Sequence, residues 1–188
     1  MKINLKQIYK GLDEWRAERK ITAESQKEGY IINIMEELGE LSQALRGLEI
    51  ESVRKTAEHE IIDALCDISV FTINAAEHIP CELKRTEMEW KKSSLNADYI
   101  LKQMVEKCAE FSYFEWVDAP SFNIILINCA YLCEHYGFDF QKAMEETIKE
   151  ISSRTGSYNE ATKKWEKNMS DEAKAKWYKA DYEKARIK

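Results

Sequence analysis

Ile34-Met35-Glu36-Glu37-Leu38-Gly39-Glu40-Leu41 and Glu58-His59-Glu60-Ile61-Ile62-Asp63-Ala64-Leu65-Cys66-Asp67 are the two stretches that decide the fold class of this chain. In each, apolar residues recur every three or four positions, which is the period of an amphipathic helix, and acids are set among them. Residues three and four apart share a helix face, so Glu37 and Glu40 project together, with Glu36 turned about 100° from Glu37. Glu60, Asp63 and Asp67 form one stripe on the second helix.

Two such helices packed together converge four to six carboxylates. Like charges that close repel, and burying an unpaired carboxylate costs several kcal/mol, so a hard cation is the natural neutraliser. Mg2+ fits best, with Mn2+ able to substitute, because it accepts carboxylate oxygens and retains positions for phosphate. A lone Glu-Glu-x-x-Glu is common on solvated helix faces. The second cluster differs, since Asp63 and Asp67 sit among apolar neighbours and neither has a Lys or Arg four residues on.

The rest of the chain reads as helix almost throughout. Leu5, Ile8, Leu12 and Trp15 mark an opening amphipathic segment. A second helix starts after Thr22 or Ser25, buries Ile31, Ile34, Met35, Leu38, Leu41 and Leu45, and stops at Gly47. A third runs from about Ser52, a candidate cap, to His78, ahead of Pro80. Others are expected over 95–116, 121–136 and 140–152, with Pro120, Gly137 and an Asp139 N-cap as punctuation.

At 188 residues, one domain with a sizeable core is the expectation. Six Gly, two Pro and 33% charged residues favour an all-α protein, and a net charge of -6 argues against nucleic acid as a bulk partner. No apolar run reaches the length of a membrane span and residues 1–6 lack the apolar centre of a signal peptide, so a cytoplasmic protein without a membrane partner is expected. Five cysteines, an odd number without C-x-x-C, point to core thiols rather than disulfides or zinc.

Glu36-Glu37-x-x-Glu40 followed by Glu60-x-x-Asp63 resembles the signature of the all-α nucleoside triphosphate pyrophosphatases, the superfamily of MazG-like enzymes and dimeric dUTPases. Tyr136 to Met144 and Lys149 to Arg154 resemble that family's later helix and its phosphate-facing end. The stretches Ser153-Arg154-Thr155-Gly156 and Lys164-Trp165-Glu166-Lys167, in a basic and aromatic tail from about 153, look most like phage-associated members, some of which act on purine deoxynucleotides.

The resemblance implies a helical bundle in which water attacks the α-phosphorus of a nucleoside triphosphate and pyrophosphate leaves. Glu37, Glu40, Glu60 and Asp63 would be metal ligands, Asp67 an additional or outer-shell one, and Glu36 the residue that orients or deprotonates water. Lys149, Arg154, Lys164 and Lys167 are candidates for phosphate, against a reading as solvated tail charge. Trp15, with Ile21 and Ile31, could flank the base, although it also continues the core stripe. A MazG-like subunit needs a partner to complete its bundle, which implies a homo-oligomer, a dimer or tetramer.

Residues 36–42 also align with 106–112, and 60–66 with 123–129. Lys107 replaces Glu37, Leu126 replaces Asp63 and Ala130 replaces Asp67, so the chain reads either as a pseudo-duplication with one acid-bearing half or as two helix pairs sharing a period. Other functional classes remain beside the hydrolase. A carboxylate-bridged iron protein would require Glu-x-x-His, which is absent, and a non-catalytic helical interaction module would leave the acids solvated.

Overall fold

The computed structural model describes residues 2–76, 82–84, 97–113, 119–162 and 164–188. After strand β1 (Lys2–Asn4) come α1 (Lys6–Arg19), α2 (Ala23–Gly47) and α3 (Arg54–Ala75). Strand β2 (Glu82–Lys84), antiparallel to β1, precedes α4 (Ala97–Tyr113), α5 (Ala119–His135) and α6 (Phe140–Ser153). The chain then forms the antiparallel hairpin β3 (Gly156–Asn159) and β4 (Lys164–Lys167), the short helix α7 (Asp171–Lys174) and a final 3-10 turn, Tyr182–Ala185. The architecture is mostly helical, as composition indicates, with two small ribbons added.

Local chemistry sets several boundaries. The Thr22 hydroxyl accepts the Ser25 N–H at 3.2 Å to cap α2, and Asp139 accepts the Lys142 N–H at 2.9 Å to cap α6. Gly137 has φ of +83°, which ends the preceding helix in a conformation that favours glycine. Three expectations need correction. Ser52 is not a cap, because it lies within a 3-10 turn, Glu51–Val53, and α3 begins after Val53 with no side-chain cap. The third helix ends at Ala75, while His78 and Pro80 lie outside the described residues. Pro120 falls inside the first turn of α5, where its missing N–H costs no hydrogen bond.

α2 packs along α3, α4 packs against α5, and α3 against α5 joins the two pairs. Their shared core includes Ile34, Leu41, Ile61, Ile62, Leu65, Ile68, Met104, Ile125 and Leu126. Cys66, Cys108, Cys129 and Cys133 are buried free thiols, as their helical positions suggested. The buried line of α2 is Tyr30, Ile34, Glu37, Leu41 and Ala44. Ile31 and Met35, expected in the core, are 42% and 61% exposed, because they lie about 100° from Tyr30 and Ile34 around the helix.

α6 rests on α1, α3 and α5, and the last residues close over its outer side. Glu146, 3% exposed, anchors this C-terminal strap. It accepts from Lys149 at 2.6 Å, from the Asp181 N–H at 3.2 Å and from the Tyr178 hydroxyl, with Lys184 at 3.6 Å. These donors hold its carboxyl down at about 2 against the penalty of burial.

Candidate active site

The α2 and α3 carboxylates face one another as their spacing predicts. Glu37 is 8% exposed, whereas Glu36 and Glu40 on the same helix are open to solvent. Asp63 and Asp67 are half-buried and Glu60 is exposed at the outer end of their stripe. Their mutual influence is large. Burial, then the charges of Asp67, Glu40, Asp63 and Glu36, push the Glu37 carboxyl from the ordinary 4.5 up to about 8. Burial and Asp63 raise Asp67 to about 7. Burial raises Glu40, with Asp63, Glu36 and Glu60 adding to it, and burial also raises Asp63.

Cations reach this cluster from the far end of the chain. Arg154, just past α6, offsets the charge of both Asp63 and Asp67 while donating to Glu150 at 3.0 Å. Lys167 acts electrostatically on Asp67, Glu36 and Glu37; desolvation, then Arg154, lowers its ammonium below the usual lysine range.

The hairpin delivers Lys167. Side chains alternate along a strand, so Trp165 and Lys167 share one face with their partners Tyr158 and Gly156. That face is fastened to α1: the Arg19 guanidinium lies 4.8 Å from the Trp165 ring and 5.4 Å from Trp15, and Lys20 lies 4.7 Å from Tyr158. Arg19 also donates to the carbonyls of Ser152 and Arg154 at 3.1 and 3.0 Å. The segment read from sequence as a basic and aromatic tail thus begins with an antiparallel ribbon held against α1. Beside Lys167 lies an open cleft of about 360 Å³ lined by Thr155, Gly156, Ser157, Glu166, Lys167 and Asn168.

Other candidates stand elsewhere. Lys149, itself exposed, pairs with Glu146, and its further electrostatic neighbours are Tyr178 and Lys184. Lys164 is exposed opposite Asn159, on the ribbon face turned away from Trp165. Trp15 donates its indole N–H to the Ile151 carbonyl at 3.2 Å and packs against the core. His59 meets Glu183 at 2.7 Å.

Two residues at the site escaped the sequence reading. Glu150 on α6 adds its charge to Asp63 and Asp67, and Tyr182 donates to Asp63 Oδ1 at 2.5 Å. Glu150 was signalled only by its position four residues before Arg154. No local signal exists for Tyr182, because its contact with Asp63 spans 119 residues.

As the side chains stand, no three His, Cys, Asp or Glu among the described residues close into a ready metal-binding group. The donor set nevertheless suits a hard divalent ion: the acidic groups are oxygen donors, and among the described residues two cations, Arg154 and Lys167, act on them. No protein-family model matches this chain, and neither a curated protein nor a solved structure matches it.

Proposed function

We propose that this protein is a Mg2+-dependent nucleotide pyrophosphohydrolase of the all-α, MazG-like kind, converting a (d)NTP, with purine deoxynucleotides preferred, to the monophosphate and pyrophosphate. The observation that carries the reading is the opposed pair of acid-bearing helices, on which burial and then the neighbouring acids raise Glu37 and Asp67 toward neutrality, faced by Arg154 and Lys167. A surface of merely solvated acids would not raise Glu37 and Asp67 in this way.

Glu37, Glu40, Glu60 and Asp63, with Asp67 beside them, would hold the ion. Bound there, Mg2+ supplies charge neutralisation and polarisation of phosphoryl oxygens. Arg154 and Lys167 bind polyphosphate oxygens from the opposite side and counter the charge that grows on the departing pyrophosphate. Glu36, solvent-exposed beside the buried Glu37, orients the incoming water and accepts its proton. Lys149 takes no part in this scheme, since Glu146 holds it.

The packing of α4 on α5 also supports a pseudo-duplication. Cys66 and Cys129, equivalent in the alignment of the two halves, lie within electrostatic reach of each other across the α3–α5 contact. In the second half, Lys107 donates to Glu110 at 2.7 Å where the first half carries Glu37 and Glu40, so that half acts as scaffold. The purine preference rests on the likeness of 153–167 to phage-type enzymes.

A panel of canonical (d)NTPs with Mg2+, with pyrophosphate and phosphate quantified separately, tests the proposal. Monophosphate and pyrophosphate are expected. Stepwise phosphate release would remove the assignment, and strong preference for dUTP would move the protein to the dimeric dUTPase branch.

A further inference from the structure

Tyr182 lies in the C-terminal turn, far in sequence from the acid-bearing helices, yet its hydroxyl joins two of the buried elements. It is 5% exposed and touches Asp63 Oδ1 at 2.5 Å and Thr147 Oγ1 at 3.0 Å, and Thr147 is 2% exposed. A phenol has one proton, and a carboxylate can only accept. The proton therefore goes to Asp63, and the phenol oxygen lies 3.0 Å from the Thr147 hydroxyl, whose single proton is shared between it and the Ala143 carbonyl at 3.1 Å. Asp63 Oδ2 has no hydrogen-bond partner among the described residues.

The same strap grips the cationic side. The Ala180 N–H donates to Glu150 Oε2 at 2.8 Å, while Glu150 Oε1 accepts from Arg154. One run of chain thus holds the carboxylate of α3 and, through Glu150, the arginine facing it.

We infer that Tyr182 is a positioning residue for the divalent cation: its hydroxyl, seated on Thr147, fixes the Asp63 carboxylate with one oxygen engaged and the other presented to the ion. The inference rests on the metal site of the proposed function. A carboxylate free to rotate must be ordered when the ion binds, and partners that pre-order a ligand typically contribute 10- to 100-fold in metal affinity.

Calorimetric titration of the full chain with Mn2+, without nucleotide, provides a readout independent of turnover. Tyr182→Phe is expected to weaken Mn2+ binding about tenfold, and to raise the Mn2+ needed for half-maximal hydrolysis while kcat at saturating metal stays near wild type. Tyr178→Phe is the control, because its hydroxyl is held by the same strap but bonds Glu146 rather than Asp63; its Mn2+ affinity should stay within about twofold, well short of the loss typical of a ligand-orienting partner. Should Tyr182→Phe fail to fold, Thr147→Val carries the test, with a several-fold weakening expected. Unchanged affinity in Tyr182→Phe, or equal weakening in both Tyr variants, overturns the inference and leaves the metal site standing. Wild-type protein that binds no Mn2+ removes the metal site itself, and the inference with it.

Discussion

Glu37→Gln should stabilise the metal-free protein near neutral pH, although it removes a proposed metal ligand from the candidate site. Glu37 is nearly buried, and its carboxyl titrates at about 8 in the fold against 4.5 for an unperturbed group. A raised carboxyl favours folding fully below the unfolded value, and that contribution is lost progressively as pH climbs through the folded value. At about 1.4 kcal/mol per pH unit, holding Glu37 protonated at pH 7, where the unfolded chain is ionised, costs about 3 kcal/mol.

Glutamine has nearly the same shape and never ionises, so the variant avoids that cost. For a chain of this length the gain corresponds to a rise of roughly 6–12 °C in Tm. The assay is a series of thermal melts in chelator from pH 4 to 8.5, following helical circular dichroism for both proteins. The difference should be near zero at pH 4, grow through pH 6 and level off above about 8. With saturating Mg2+ the order should narrow or reverse, because only the wild type gains ligand stabilisation. A variant no more stable than wild type at pH 8, or a gain that is largest in acid, would refute the claim that burial and the neighbouring acids raise the Glu37 carboxyl in the fold.

Glu40→Gln and Asp63→Asn should each abolish hydrolysis while leaving the helical signal and metal-free Tm intact; full activity in either removes that residue from the ligand set. Arg19→Ala strips a 5% exposed guanidinium from two indole rings and two helix-end carbonyls, and should cost about 3 kcal/mol in denaturant unfolding. Gly156→Ala would place a methyl 2.3 Å from the Glu166 carbonyl oxygen and 2.5 Å from the Trp165 ring, so the ribbon must open. Its expected signature is a red-shifted tryptophan emission and a raised KM, with α2 and α3 unaffected. Glu146→Gln should destabilise the strap above pH 4.5, an effect that fades as pH falls toward the native value of about 2.

How far the sequence is legible depends on the range of the forces involved. Thr22, Gly137 and Asp139 act on backbone groups within a few residues, so their helix ends can be placed from the sequence alone. The meeting of Glu37 and Glu40 with Asp63 and Asp67 is also legible, because each pair is fixed by one helix turn and both stripes run beside the apolar residues through which the two helices pack. Misplacing Ile31 and Met35 has a specific cause. The line α2 buries contains Glu37, an acid where apolar periodicity expects a hydrophobe, and choosing the most apolar stripe rotates the helix away from its true inner face. Tyr182 and Glu150 depend on packing across long separations, and the ribbon depends on Arg19 between two indole rings; neither arrangement leaves a periodic trace.

The two buried glutamates of this chain separate structural from functional burial. Glu146 and Glu37 are 3% and 8% exposed, so burial alone should raise both. Glu146 instead falls to about 2, because Lys149, Lys184, a tyrosine hydroxyl and a backbone N–H surround it. Glu37 rises to about 8, because burial raises it and its charged neighbours, Asp67, Glu40, Asp63 and Glu36, are acids that add to the rise instead of opposing it. Cations from the C-terminal part of the chain act on both places, Lys149 and Lys184 at Glu146 and Arg154 and Lys167 at the opposed acids. At Glu146 those cations complete the charge, and the result is an anchor. Among the described residues, Arg154 and Lys167 are the cations that act on the opposed acids, and Lys167 is itself weakened as a base by desolvation and by Arg154. Negative charge that the described residues leave in excess at the opposed acids, while compensating it at Glu146 on another helix, is the pattern expected of a site completed by a bound cation.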